Sequence, residues 1–316
     1  MSDSKTIAVI GATGSQGGGL ARAILDDPGS DFRLRAITRN PDSDAARALA
    51  DRGAEVVQAD LDDVESLKRA FDGAYGAFCV TNFWEHFSPQ REQAQIANLA
   101  EAAKAAGVEH VIWSTLEDTR RWVPLDDDRM LTLQDKYKVP HFDTKGGSDH
   151  EFTDRGVPTT FLLTSFYWDN FIHFGLGPQR MEDGSLALVF PLGDAKMPGI
   201  SAEDIGRTAY GIFKAGDRYI GETVGISGEH LSAQEMADAM SDTLGQDIGY
   251  TNVPPEVYRS FDFDGSDDLG NMFQFYRDFE DDFRRPRSVE ATRALNSQLQ
   301  SFDDWLDRNA DQIPMQ

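Results

Sequence analysis

Cysteine is nearly absent from this 316-residue chain: Cys79 stands alone inside the apolar run Ala77-Phe78-Cys79-Val80. An intrachain disulfide is therefore excluded, and the apolar neighbours predict a buried, inert thiol. Basic residues are scarce as well. Thirty Lys and Arg face 54 Asp and Glu, for a net charge of −24, and only eight of the bases are lysine. No basic stripe is available to neutralise a phosphate backbone, which argues against direct nucleic-acid binding. No run approaches the ~20 apolar residues of a membrane span, so no membrane partner is expected. The first strand opens soon after Met1, leaving no room for a signal peptide and predicting a cytoplasmic protein. Internal repeats, coiled-coil heptads and low-complexity segments are lacking too, and no metal is predicted. The acids are spread along the whole chain rather than gathered in a tail. Such a surface repels itself at low ionic strength and is screened by salt, which points to a halophilic source.

What the chain does have is a glycine turn in the right setting. Ile7-Ala8-Val9-Ile10 runs into Gly11-Ala12-Thr13-Gly14-Ser15-Gln16-Gly17, followed by an amphipathic stretch to Leu25. Glycine permits positive φ and removes the Cβ that would strike a pyrophosphate. The helix beyond, expected from about Gly17 to Leu25, aims its N-terminal N–H groups at the anion. Gly17, Gly18 and Gly19 are expected to let that helix pack closely on the strand. The spacing is G-x-x-G-x-x-G, the variant of short-chain-dehydrogenase-like Rossmann domains. The next apolar run, Leu34 to Thr38, ends on Arg39 where an NAD site has an acid. A guanidinium there suits a 2′-phosphate, so NADP(H) is expected in preference to NAD(H).

The first half alternates regularly. Strands are read at 6–10, 33–38, 54–58, 75–80 and 109–113, with helices near 17–26, 43–51, 63–71 and 89–106. This rhythm predicts right-handed βαβ crossovers and an α/β fold, a Rossmann doubly wound parallel sheet. Ser88, Pro89 and Gly107 mark the start and close of the fourth helix. A further strand is read at Thr159–Leu163. Ser201 with Asp204 and Ser232 with Glu235 have the spacing of helix capping boxes. The later part reads as a smaller C-terminal α+β lobe. The predicted domains are 1–156 for the dinucleotide and 157–316 for a lobe that completes the sheet and the cleft.

Ligands of open parallel sheets bind beyond the carboxyl ends of the strands. That rule selects Asp60 and Leu61 after the third strand, and Thr81, Asn82 and Phe83, with Trp84 and His86, after the fourth. Ser114-Thr115 follow the fifth, and Ser165 to Asn170, including Tyr167 and Asn170, follow the sixth. The aromatics among them line an expected cleft or form ordinary core. Short-chain reductases place a tyrosine four residues before a cofactor-holding lysine. Here Lys145 follows the segment Pro140-His141-Phe142-Asp143-Thr144, read as a loop, and His141 stands in the tyrosine's place. His141 can donate a proton near neutral pH. The simpler reading is a site that binds cofactor and reduces little.

Several motifs in order resemble the NmrA-like family of atypical short-chain dehydrogenases, in particular its HSCARG branch of NADPH-sensing proteins. They are Gly11 to Gly18, Thr38-Arg39-Asn40-Pro41, Gly53 to Gln58, Val80-Thr81-Asn82, His141-Phe142-Asp143-x-Lys145, Gly156-Val157-Pro158, Asn271-Met272-Phe273 with Phe275-Tyr276, and Asp303-Asp304-Trp305-Leu306. The resemblance implies a Rossmann domain with a small C-terminal lobe, NADP(H) binding, and a redox sensor that changes its association state or its protein partner. It carries cofactor contacts to Gly11, Thr13, Gly14, Gln16, Gly17, Arg39, Thr81, Asn82, Lys145 and the Tyr167–Asn170 segment; Ser15 sits in the same turn. The segment from Thr119 to Pro140 departs from the family pattern as a charged insertion. Two functions stand side by side. One is an NADP(H)-binding regulator with little dehydrogenase activity, acting on a protein partner or as a homodimer. The other is an NADPH-dependent reductase of a quinone, enone or other small carbonyl compound, with His141 and Lys145 as catalytic candidates.

Overall fold

A computed structural model describes residues 4–315. They form two compact units. The first is built from the chain up to Asp118, Thr144–Thr164 and Ala202–Val224, the second from Thr119–Asp143, Ser165–Ser201 and the chain from Gly225 on.

The first unit carries a seven-stranded sheet. Its strands are β1 (Lys5–Ile10), β2 (Phe32–Thr38), β3 (Glu55–Gln58), β4 (Gly76–Cys79), β5 (His110–Thr115), β6 (Thr159–Leu163) and β7 (Thr223–Gly225). The order is β7-β6-β5-β4-β1-β2-β3, and every pairing among β1 to β6 is parallel. The Rossmann-type α/β fold expected from the alternation is the fold observed. The order reverses between β1 and β4, and this is the crevice where doubly wound sheets take ligands. Central strands β4 and β5 are buried along their whole length. One apolar layer joins Ala8, Ile10, Phe71, Cys79, Leu99, Trp113 and Phe152.

The helices start where short polar side chains can satisfy bare N–H groups. Ser43 caps α2 (Asp44–Asp51), Asp63 caps α3 (Val64–Phe71), and Ser88 caps α4 (Pro89–Ala105) with Pro89 in its first turn. Helix α1 (Ser15–Asp26) begins two residues before the expected start, because its N-cap is Gly14. The expected packing of all three following glycines on the strand needs correction. Only Gly17 faces β1: a Cβ there would lie 2.5 Å from the Gly11 carbonyl oxygen and 2.6 Å from that of Ile10. Gly18 faces the Arg22 side chain. Gly19 instead admits helix α6 (Ala202–Lys214), since its Cβ would lie 2.6 Å from the Glu203 carbonyl oxygen.

The segment read as a loop before Lys145 is helical, α5 (Pro140–Gly147). Proline suits a first helical turn, and Gly146 allows close approach to the backbone of Leu116–Asp118. The helix has little periodic apolar signal of its own, so packing rather than local pattern forms it.

The second unit holds two three-stranded sheets. One orders Glu229–Leu231, Met197–Ile200 and Phe166–Tyr167; the other orders Ile248–Asn252, Leu186–Phe190 and Gln179–Arg180. Around them pack α7 (Ala233–Leu244), α8 (Ser266–Asp278) and α9 (Phe302–Asn309). Ser232 and Glu235 form the expected capping box, and Gly245 closes α7 at φ 65°. Trp168 is core: it is buried against Phe302 and Trp305. Glycines 199 and 228 leave room for its indole. The Thr119–Pro140 segment buries Val123, Met130, Leu133, Tyr137 and Val139, and Lys138 is buried with its Nζ donating to the carbonyls of Asp127 and Met130, each at 2.8 Å. No helix among the described residues is long and apolar enough to cross a membrane.

Candidate functional site

The glycine turn occupies the carboxyl end of β1. Gly11 takes φ +63°, and the Gly14 N–H donates to the Gly11 carbonyl at 2.8 Å, closing the reversal into α1. Thr13, Gly14 and Ser15 are exposed at its rim. No side chain caps α1, and no acid stands in its first turn. A helix start with its positive dipole end and no acid in its own first turn fits a pyrophosphate. Gln16 is tied to β5, its Oε1 accepting from the Ser114 hydroxyl at 2.8 Å. Thr115 turns elsewhere and donates to Asp149.

Arg39 stands at the end of β2, exposed, with its backbone carbonyl accepting from Gln58. Its guanidinium is ion-paired with Glu85, which ends the 3-10 turn Phe83–Glu85. Hydrogen bonding to Glu85 and that residue's charge hold the Arg39 pKa above its ordinary value. Asp60 is exposed beyond β3, and Leu61 is half-buried with its carbonyl accepting from Asn98. Arg91 of α4 pairs with Asp62, whose carboxyl it holds below the usual range. Asn82 is exposed, while Phe83 is buried in ring contact with Trp84 and Phe87.

Lys145 is buried. Its ammonium donates to the Thr81 hydroxyl at 2.6 Å and carbonyl at 3.2 Å, and to the carboxylate of Glu92. Glu92 is wholly buried on α4 and also accepts from the Thr81 hydroxyl at 2.7 Å. Its second oxygen, Oε2, is buried with no hydrogen-bond partner among the described residues. The loop and this cluster lie in one unit, at the carboxyl ends of adjacent strands β1 and β4.

His141, one helical turn before Lys145 in α5, is held by Asp268 of α8. The carboxylate meets its ring Nδ1 at 2.6 Å and its backbone N–H at 3.1 Å. Burial raises the Asp268 pKa. Both residues belong to the second unit. So do Tyr167 and Asn170, which are half-buried.

Three charged partners of the candidate residues escaped sequence reasoning. Glu92 left a trace, an acid at the buried helical spacing that it shares with Gln95, Ile96 and Leu99. Glu85 and Asp268 left none, since nothing local ties them to Arg39 or His141. The cysteine behaves as expected: Cys79 is buried, and burial pushes its thiol pKa up.

Residues 3–306 match the family described as NmrA-like. The NmrA-like family domain-containing oxidoreductase FrzB of Cladobotryum sp is 31% identical over 312 residues, covering 91% of this chain and 88% of that one. Among solved structures, Nmra, a negative transcriptional regulator, superposes with a TM-score of 0.79 at 25% identity, over 96% of this chain and 95% of that chain. Nmra has also been crystallised in complex with NAD and with NADP. A Citrobacter sp. triphenylmethane reductase complexed with NADP(H) shares the fold, with a TM-score of 0.73 at 21% identity over 96% of this chain and 99% of that chain. By a match over nearly its full length, this chain belongs to the NmrA-like family.

Proposed function

We propose that this chain is an NADP(H)-binding regulatory protein, a redox sensor of the HSCARG-like branch with little or no dehydrogenase activity. The observation that carries the reading is the turn at β1, where Gly17 sets the uncapped start of α1 against the strand. The pyrophosphate would lie on Gly11, Thr13, Gly14, Ser15, Gln16 and Gly17, and the 2′-phosphate on Arg39. Asp60 and Leu61 would meet the adenine, and Thr81, Asn82, Phe83, Lys145, Tyr167 and Asn170 the nicotinamide half. Structural relatives that hold NAD or NADP support this assignment.

Weak catalysis follows from residue 141. A tyrosine would hold the proton at this position, and this chain has a histidine whose Nδ1 and backbone are engaged by Asp268. The ammonium of Lys145 is already shared between Thr81 and Glu92. Signal output would pass to a protein partner or through self-association as a homodimer. The dispersed negative charge supports a halophilic cytoplasm as the setting.

The oxidoreductases among its relatives favour a second reading, an NADPH-dependent reductase of a quinone, enone or other small carbonyl compound. When bound, a reduced nicotinamide supplies a hydride. Lys145 would then orient the ribose, and His141 would deliver the proton.

Calorimetric titration in high salt with NADPH, NADP and NADH, followed by NADPH oxidation against quinones and aldehydes, separates the two. The regulator binds NADPH tightly without turnover; turnover abolished by His141→Ala establishes the reductase. Arg39→Ala is expected to weaken NADP(H) by ~1.5–3 kcal/mol and NAD(H) far less, as loss of a charge-assisted contact requires. Equal losses for both cofactors would refute the 2′-phosphate assignment.

A further inference from the structure

Arg39 is not an open cation. Glu85 takes one arm of its guanidinium, Nη1, and the two side chains are 60% and 40% exposed. The acid comes from 46 residues further along, carried by the 3-10 turn after β4. An acid at the end of β2 reads the ribose hydroxyls of NAD, and a base there reads the 2′-phosphate of NADP. This fold brings one of each to a single point.

We propose that Glu85 sets the balance between NADP(H) and NAD(H) by competing with the 2′-phosphate for Arg39. The inference rests on the dinucleotide reading above. A phosphate dianion competes with the carboxylate for Nη1 of the guanidinium and meets its like charge as it takes the remaining donors of the fork. An unphosphorylated ribose enters no such competition, and the Glu85 carboxylate is an acceptor for its hydroxyls. Because the pair is exposed, the competition is shallow, and the base still prevails when the phosphate is present. The neighbouring charges reinforce this arrangement. Arg91, the next cation on this side, is engaged by Asp62, and Asp60 adds negative charge that acts on Arg39. Arg39 is thereby left as the phosphate reader and Glu85 as its direct competitor. The device distinguishes the phosphorylated from the unphosphorylated nucleotide pool and is indifferent to oxidation state, since NADP and NADPH carry the same 2′-phosphate.

The test is calorimetric titration of wild type, Glu85→Gln, Arg39→Ala and the double variant with NADP and with NAD, at one high ionic strength. Glu85→Gln is expected to tighten NADP about threefold to tenfold while leaving NAD unchanged or weaker. The double variant is expected to lose that gain, because the competition needs Arg39. A Glu85→Gln variant that shifts both cofactors by the same factor, or neither, overturns the proposal. If Arg39→Ala still loses NADP selectively in that case, the dinucleotide reading stands and only the role of Glu85 falls. A wild-type protein that binds neither nucleotide overturns both.

Discussion

Glu92 and Lys145 meet in a place where neither is easily replaced alone. A buried ion pair gains little over a well-packed apolar pair, but removing one partner strands the other, at about 3–5 kcal/mol. Here the penalty is sharpened because Glu92 Oε2 has no hydrogen-bond partner among the described residues. Glu92→Gln and Lys145→Met are each expected to lower unfolding free energy by about 3 kcal/mol. The double variant Glu92→Gln with Lys145→Met should cost well under the sum. Denaturant unfolding of the cycle checks this, and additive losses would show the two side chains to be uncoupled. His110 supplies a second residue-scale prediction. It is wholly buried in β5, its Nε2 2.9 Å from the Thr160 hydroxyl, and burial pushes its pKa down to about 4 from 6.5. Between those values the unfolded chain takes up a proton that the folded chain refuses. Its contribution is therefore intact above about pH 6.5 and is lost as pH falls towards 4, by roughly 3 kcal/mol. Chemical denaturation at pH 7 and pH 5 should show about 2 kcal/mol of that loss, and His110→Gln should flatten it.

At the scale of elements, α1 has two glycines with different duties. Gly17 admits the helix to β1 at the glycine turn, whereas Gly19 admits α6. Gly17→Ala is expected to cost about 2 kcal/mol through overpacking and to weaken dinucleotide binding as the turn is pushed outward. Gly19→Ala should cost a similar amount while leaving the affinity nearly unchanged. Thermal melts with calorimetric titration distinguish them, and equal loss of affinity in both would count against the assignment of the turn. Elements with caps were legible in the chain: Ser88 and Pro89 before α4, Ser232 and Glu235 at α7. The helix carrying His141 and Lys145 was not, since contacts made after folding stabilise it more than its own pattern does.

Over the whole molecule the dominant fact is charge. With 54 acids against 30 bases, repulsion opposes the compact state, and mobile ions relieve it. The melting temperature is expected to rise by several degrees between dilute buffer and molar KCl; an unchanged value would remove the case for a high-salt setting. The acids do not gather into a tail, so this term acts on the surface at large, and the two units should respond together.

Local constraint is what the chain could announce by itself. A turn that needs positive φ at Gly11 and no Cβ at Gly17, an apolar period of two followed by one near four, and a base at the end of the second strand are each written in consecutive residues. The parallel sheet, the glycine turn after its first strand and the place of Arg39 at the end of β2 were readable for that reason. Tertiary structure alone chose the partners. Glu85 reaches Arg39 across 46 residues, Glu92 reaches Lys145 across 53, and Asp268 reaches His141 across 127. Pairings of that range carry no signature in the neighbouring sequence, because they come into being only when strand order and helix packing bring distant side chains together. Those pairings turn a recognisable cofactor motif into a site with its own electrostatics.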